Sequence, residues 1–551
     1  MGMVSKYIQD MKTEFKGYNL QKLGKDLTAG LTVCAVALPL ALAFGVSGGA
    51  TAAAGMVTAI VAGIVIGLLS GASYQISGPT GAMSAVLISI VITYKLQGVF
   101  IACFLAGIIL LLCGIFKLGK LISFIPSAVI MGFTSGIAIT IAFGQIDNFF
   151  GTVSEGTGII EKIISYAKLG FTPNFNTTAI AVVILIIMII WPKKWGAKVP
   201  ASLIGIIVAT AAQLIFNFEG VAVVGDIPKT LFLDERLSFA GVDFTMIKDL
   251  MSPVFTIAAL GIIESLLCGA SASRMKKESF DADRELVAQG IGNMILPVLG
   301  GVPATAAIAR TSVAIKSGEQ TRLTSVFHSV FLLASMFLLG DIMAKIPLSA
   351  LAAVLMVTAF KMNEWEDIKY IFSHKFKTSI SQFLLTMVCT VVFDLTVSIV
   401  LGILYSAIMY MSASAHISIH YSDVDPEKLN GKIKCDENDF KGVQVAYVTG
   451  PLYFGSANEF EEKLGEIRKG NNTLLLSMRG VPNIDVSGAR IILEKVKELK
   501  EENCQVMFCG MCKRAKLMLD RAGVTDIVGE DNYYISADQA FVKIMEANKN
   551  N

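Results

Sequence analysis

The 551-residue sequence predicts a polytopic α-helical membrane protein, fourteen transmembrane segments in a 7+7 inverted repeat, followed by a small α/β domain. Three observations carry that expectation. The chain is 54% hydrophobic and only 16% charged, a balance foreign to an ordinary soluble domain. Apolar runs of roughly 17–25 residues, the length that spans a hydrocarbon core, recur from Leu27 to about Met411. Two runs of equal rank in the two halves are interrupted by Gly and Pro, at Gln75-Ile76-Ser77-Gly78-Pro79-Thr80-Gly81-Ala82 and at Gly300-Gly301-Val302-Pro303-Ala304-Thr305-Ala306-Ala307.

Taken in order, residues 1–26 carry Lys6, Lys12, Lys16, Lys22 and Lys25 and no cleavable signal pattern, so this segment is placed on the cytoplasmic side. The transmembrane domain then occupies 27–418. Its first half reads as spans at about 27–47, 50–70, 79–94, 97–116, 121–146, 177–192 and 200–218. The second half reads as about 252–273, 284–299, 308–318, 322–340, 346–362, 379–396 and 398–416. The distribution of positive charge tests this count. Lys117 and Lys120, then Lys193, Lys194 and Lys198, then Arg274, Lys276 and Lys277, then Lys316 and Arg322, then Lys361, Lys369, Lys375 and Lys377 all fall on the N-terminal side. The acidic loop 219–251, with Glu219, Asp226, Asp234, Glu235, Asp243 and Asp249, falls opposite. An even number of crossings returns residues 419–551, a linker and a soluble domain, to the cytoplasm. The nine cysteines are scattered, five in apolar runs and Cys435, Cys504, Cys509 and Cys512 in the tail, so a disulfide framework is not expected. A net charge of +2 without a dense basic stripe argues against a nucleic-acid partner.

The two breaks carry the functional expectation. In lipid an unsatisfied backbone N–H or C=O costs several kcal/mol, so irregular backbone at membrane depth survives only where it lines an enclosed cavity. A half-helix starting after each break aims its partial positive charge and free N–H groups into that cavity, which favours an anion. Thr80 and Gly81 at one start, and Ala309 and Arg310 at the other, are positioned to offer those N–H groups. Paired breaks of this kind at corresponding places mark the binding site of a secondary transporter. Arg310 stands in apolar surroundings, and its fork of donors suits an oxyanion. A structural ion pair or an Arg reaching for the interface is the bland alternative. Glu264, the only acid within the eighth span, repels an anion when ionised and admits it when protonated, so it is the candidate for coupling to protons. Its bland alternative is a structural carboxylate, capped by N–H groups or paired with Arg310.

In the tail, Val443–Val448, Thr473–Met478 and Cys504–Cys509 read as buried strands, and about 455–469, 486–501 and 511–522 as helices. Pro482-Asn483-Ile484-Asp485-Val486-Ser487-Gly488-Ala489 follows a strand and opens a helix, with Asp485 or Ser487 as the cap. Neither a phosphate-binding loop, a catalytic triad nor a metal cluster stands out, so no enzyme activity and no cofactor are expected. The remaining signals are weak: Asp394 reads as a turn cap, Cys509-Gly-Met-Cys512 as chance, and His416 with His420, spaced i, i+4, lacks a third metal ligand.

On Ser77-Gly78-Pro79-Thr80-Gly81, on Pro303-Ala304-Thr305-Ala306-Ala307-Ile308-Ala309-Arg310-Thr311 and on the tail, the chain resembles a bacterial sulfate permease (SulP) family transporter with a STAS domain. The resemblance implies a core domain of segments 1–4 and 8–11, a gate domain of segments 5–7 and 12–14, and a homodimer. It implies alternating-access transport of a small anion such as sulfate, bicarbonate, chloride or a dicarboxylate. It places an Arg at the position of Arg310 in the site and an acid at the position of Glu264 facing it, and it makes Phe44 the first-segment wall of the pocket. Sodium-using relatives surround their acid with hydroxyls, where this chain has Cys268 and Ile308, so protons rather than sodium are expected. Related STAS-type regulators are phosphorylated on a hydroxyl, here Ser487, and the tail is read as a regulatory or assembly module for cytoplasmic partners. The expected home is a bacterial inner membrane with both termini cytoplasmic. Rival readings are a passive anion exchanger or channel, a membrane-anchored signalling protein, and a nucleobase permease of the same fold, against which Arg310 and the tail argue.

Overall fold

The computed structural model describes residues 3–120, 125–156, 158–192, 199–240, 242–393, 395–425, 437–467 and 472–550. Lys193, Lys194, Lys198, Asp394, Cys435 and the first residues of the fifth predicted span lie outside them. The chain divides into two compact units, Met1–Leu404 and Tyr405–Asn551.

The first unit is helical. Helix α1 (Met3–Glu14) precedes α2 (Leu20–Ser47) and α3 (Ala52–Leu69), whose starts are capped by the side chains of Asn19 and Thr51. A two-residue strand β1 (Ser77–Gly78) leads into α4 (Gly81–Ile115), which kinks at Lys95 (φ 56°) and so counts as two spans. There follow α5 (Ser127–Gly144), α6 (Ile146–Phe150), α7 (Ile159–Leu169), α8 (Phe175–Ile190) and α9 (Ala201–Phe216). The second half holds α10 (Phe244–Lys276), α11 (Ala282–Ile295), strand β2 (Thr305–Ala306), α12 (Ile308–Lys316) and α13 (Leu323–Met343). It closes with α14 (Leu348–Met362), α15 (Trp365–Ser373), α16 (Lys377–Val392) and α17 (Leu395–Ser414). Among the described residues, seven helices are long and apolar enough to cross a membrane alone, and four apolar helices of 10–17 residues join them. Counting α4 twice and adding α11 and α12 gives the fourteen elements of the 7+7 architecture. At 1.5 Å per residue the nine-residue α12 spans only about half of a hydrocarbon core. The broken backbone before it makes up the depth.

Helices pair across the two halves: α11 lies along α4, and α13 packs on α2 and α3. The α11/α4 contact brings backbones together at Gly107 and Gly290, where a Cβ on Gly290 would meet the Leu111 nitrogen at 2.5 Å. Small residues at such crossings are what dispersion-driven packing in lipid selects.

Helix α1 was not anticipated as a structural element. Lys6, Asp10 and Glu14 fall on one face at four-residue spacing and pair with Asp281 (2.6 Å), Arg284 (2.5 Å) and Arg322 (2.8 Å). The Tyr7 ring lies 5.6 Å from the Arg284 guanidinium and 5.5 Å from that of Arg322, and its hydroxyl donates to the Leu68 carbonyl at 3.0 Å. Asp26, fully buried, accepts from the backbone N–H of Gln320 (2.6 Å) and Thr321 (3.1 Å) and from the Thr324 hydroxyl (2.9 Å), fixing the turn that opens α13.

The second unit has a five-stranded sheet in the order β3-β4-β5-β6-β7. Strand β3 (Ser418–Asp423) runs antiparallel to β4 (Val443–Thr449); β4, β5 (Thr473–Gly480), β6 (Gln505–Cys509) and β7 (Tyr533–Tyr534) are parallel. Helices α18 (Ala457–Leu464), α19 (Val486–Glu501), α20 (Lys513–Arg521), α21 (Val524–Val528) and α22 (Ala537–Asn550) accompany it. Leu474 and Leu476 join one apolar cluster and Leu475 another, so both sheet faces are covered and the strands read as unbroken apolar runs. His420 lies on β3 opposite Tyr447, so it and His416 do not share a helical face. Cys509 ends β6 buried, while Cys512 is the exposed N-cap of α20.

Candidate anion site

The two breaks meet. Strands β1 and β2 pair antiparallel, Ser77 opposite Ala306 and Gly78 opposite Thr305. The ladder continues as the Ala307 N–H donates to the Ile76 carbonyl (2.9 Å) and the Ile76 N–H to the Thr311 hydroxyl (3.0 Å). Each break thus satisfies the other's backbone, which is what lets both exist at membrane depth. Helix α4 then starts from Thr80 and α12 from Ala307, both N-caps extended and neither bonding the first turn through a side chain. The free N–H groups at both starts are therefore available to a ligand.

Both starts border a cavity of about 640 Å³ that is also lined by Phe44, Glu264, Ala309 and Arg310. Facing walls come from Phe133 and Ile137 of α5, Met188 of α8 and Thr358 of α14, and the cavity reaches Trp191, Pro200, Lys361 and Glu364. The sequence-derived site residues of the first unit are thus gathered at one place. Phe44 is buried on α2 beside the first start: a Cβ on Gly81 would meet its ring at 3.1 Å. Gly81 leaves room where the ring, the helix start and the cavity converge.

Glu264, half-buried on α10, accepts a hydrogen bond from the Thr80 hydroxyl at 2.8 Å and one from the Thr305 hydroxyl at 2.5 Å. One carboxylate oxygen therefore joins the two breaks. Cys268 turns to the Thr311 hydroxyl at 3.3 Å and Ile308 is 45% exposed, while the hydroxyls that reach Glu264 are those of Thr80 and Thr305. Thr305 is the site residue that sequence reasoning missed. Its signal was a hydroxyl within the second break, as that of Thr80 is within the first.

Arg310 is 1% exposed. Its Nη2 donates to the Pro79 carbonyl, and its guanidinium lies over Gly78, where any Cβ would collide with Nη1. Among the described residues it forms no ion pair with Glu264, and Nη1 is buried with no hydrogen-bond partner. A buried guanidinium donor without an acceptor is costly.

Ser487 lies far along the chain, in the first turn of α19, half-buried. The cap there is Asp485, which accepts from the Gly488 N–H at 2.9 Å and from the Phe454 N–H at 2.9 Å. That leaves the Ser487 hydroxyl outside the capping role.

The profile of the sulfate permease family matches residues 23–389, and that of the STAS domain matches residues 438–540. The chain is 34% identical to the putative sulfate transporter YvdB of Bacillus subtilis over 95% of its own length and 98% of the relative's. It is 27% identical to the bicarbonate transporter BicA of Synechocystis over 95% and 94% of the two chains. Among solved structures, the murine solute carrier 26 family member A9 anion transporter, in its inward-facing state, superposes with a TM-score of 0.84 at 17% identity, covering 97% of this chain and 93% of that one.

Proposed function

The chain belongs to the sulfate permease family, and on that premise we propose that it is a proton-coupled secondary transporter of a small anion such as sulfate, bicarbonate or a dicarboxylate. It is an integral membrane protein and a transporter rather than an enzyme. The observation that carries the coupling is Glu264, whose carboxylate ties the Thr80 and Thr305 hydroxyls together while Arg310 forms no ion pair with it among the described residues. The anion binds where the two helix starts and Arg310 converge. Glu264 faces the same space, so its negative charge opposes the anion and its protonation removes that opposition. Proton and anion then load together. Phe44, Thr80, Glu264, Ala309 and Arg310 all belong to the core helices α2–α4 and α10–α13. Phe133, Met188 and Thr358 belong to the gate helices α5–α9 and α14–α17, so rocking one set against the other exposes the site to alternate sides.

The transport function belongs to residues 27–418, in a bacterial inner membrane with both termini cytoplasmic. Lys361 and Trp191, which the cavity reaches, sit beside the positively charged loops, in keeping with a cavity open to the cytoplasm. The protein works as a homodimer, and residues 419–551 bind cytoplasmic regulators, with Ser487 as the candidate phosphorylation point. A second reading, sodium in place of the proton, is favoured by the hydroxyls around Glu264.

The test is uptake of labelled sulfate, bicarbonate, fumarate and uracil into proteoliposomes, with and without an inward proton or sodium gradient. Proton-stimulated uptake of one anion is expected. Stimulation by sodium alone would replace the proton, gradient-independent flux would mean a channel or exchanger, and uracil uptake alone would refute the anion assignment. Glu264→Gln is expected to keep anion exchange and lose proton-driven accumulation; full concentrative uptake by that variant overturns the coupling role.

A further inference from the structure

One face of α11 carries three fully buried polar residues, Glu285, Gln289 and Asn293, at successive four-residue steps, roughly 6 Å apart along the axis. They form a ladder that reaches both breaks. Glu285 Oε2 accepts from the Ser70 hydroxyl (2.6 Å) and the Gly71 N–H (3.0 Å), where α3 gives way to the first break. Asn293 binds Ala304, just before β2, with both ends of its amide: Nδ2 donates to the Ala304 carbonyl (2.9 Å) and Oδ1 accepts from the Ala304 N–H (2.8 Å). Gln289 stands between them. Its Nε2 donates to Glu285 Oε1 at 2.8 Å and to the Ser77 hydroxyl oxygen at 3.0 Å, and its Oε1 is buried without a partner.

The ladder holds the two breaks unequally. The second is gripped twice over, by Asn293 and by the Thr58 hydroxyl, which accepts from the Val302 N–H at 2.7 Å while its own proton faces the Ala54 carbonyl at 2.7 Å. On β1 itself α11 has a single grip, the bond from Gln289 to Ser77. The amide's orientation is set from outside. A carboxylate only accepts, so Glu285 compels the Gln289 nitrogen to face it, and the second hydrogen of that nitrogen is left for Ser77. Ser77 precedes Gly78 and Pro79, which carry the Arg310 guanidinium, and Thr80, which carries Glu264. A shift of β1 therefore moves every group of the first break relative to the second.

We propose that Gln289 is a positioning residue of the anion site: through Ser77 it sets where the first half-helix begins relative to Glu264 and Arg310. The role rests on reading the paired breaks as the anion site. The first break is also tied to α10 by the Gln75 amide, which donates to the Ser265 carbonyl at 2.9 Å, but β1 itself loses its one bond to α11 when Gln289 is lost, so the first break loosens more than the second. Anion affinity then falls while the rest of the cycle proceeds.

The test uses the full chain carrying Gln289→Met, nearly the same in volume and without a donor. Ser77→Ala, which deletes the acceptor with less change to the core, serves if the first variant does not fold. Amide hydrogen exchange is followed by mass spectrometry across 74–84 and 300–312, alongside concentration-dependent uptake of sulfate and bicarbonate. The expected result is at least ten-fold faster exchange in 74–84 with 300–312 unchanged, and about ten-fold higher KM with Vmax within two-fold. Unchanged exchange in 74–84, equal loosening of both segments, or faster exchange with unaltered KM would each overturn the positioning role. If the wild type carries neither anion nor fumarate, the functional reading fails, while the exchange rates still decide whether Gln289 fixes β1.

Discussion

The first break, Ser77 to Gly81, and the second, Thr305 to Arg310, join through one short antiparallel ladder and each opens a helix without a side-chain cap. Their residues are far from interchangeable. The second supplies a cation, Arg310, and the first supplies what that cation requires: a Gly78 with no Cβ beneath the guanidinium and a Pro79 carbonyl to accept from it. Helix α11 holds β1 through one amide bond from Gln289, and the residue before β2 through both ends of the Asn293 amide. An inverted repeat of backbone is therefore not a repeat of chemistry. One partner holds the charge, and the other is shaped around it.

The largest effect is expected from removing the charge that separates them. Arg310→Ala should lower anion uptake by about 100-fold, the scale of a lost charge-assisted hydrogen bond of ~3 kcal/mol, with thermal unfolding little changed. Unaltered sulfate or bicarbonate affinity by calorimetry would sink its assigned role. Next comes the complementary hollow. Gly78→Ala places a methyl against Arg310 Nη1 and should cost about ten-fold in uptake, whereas an alanine at the solvent-exposed Gly24, where a Cβ meets nothing within 4 Å, should cost nothing. Equal behaviour of the two variants would show that the guanidinium does not need that space.

A smaller effect separates the hydroxyls. Thr305→Val and Thr80→Val each remove one donor from Glu264, worth about 1 kcal/mol, and should each move the pH midpoint of uptake. A changed KM with an unmoved midpoint would assign the hydroxyls to the anion instead. The smallest lies where the second half-helix ends. Glu319, beyond α12, bonds Lys276 at 2.6 Å, and its pKa is pushed up to about 7, mainly by burial and against the pull of Lys276. The folded state thus holds that proton more tightly than the unfolded chain, whose carboxyl keeps its ordinary 4.5. The associated stability is complete below pH 4.5 and lost as pH rises through 7. Glu319→Gln should flatten the fall in melting temperature over that window by a few degrees, and an undiminished fall would remove Glu319 as its source.

Much of this architecture is legible in the sequence. Apolar length and the alternation of basic loops reveal the spans, and Gly with Pro exposes both breaks, because lipid makes irregular backbone conspicuous. Lys95 separates the third span from the fourth, and the structure shows there a non-helical residue, φ 56°, between two helices. What escaped depends on distant partners. Thr305 reads as one more small polar residue in a membrane segment, where threonine commonly bonds its own helix, until β1 brings Thr80 beside it. Gln289 and Asn293 read as interior polar residues with no address, since Ser77 and Ala304 become their neighbours only when the ladder forms. The aim of Arg310 onto the back of β1 depends on the hollow at Gly78, which no local pattern encodes.

The ion pairs of α1 carry a consequence in time. Lys6, Asp10 and Glu14 leave the ribosome before any span, whereas their partners follow 275, 274 and 308 residues later. At roughly 5–20 residues per second that delay is on the order of tens of seconds. The ion pairs of α1 can close only after α11 and the start of α13 have been made, so their closure marks a chain whose second half has been built.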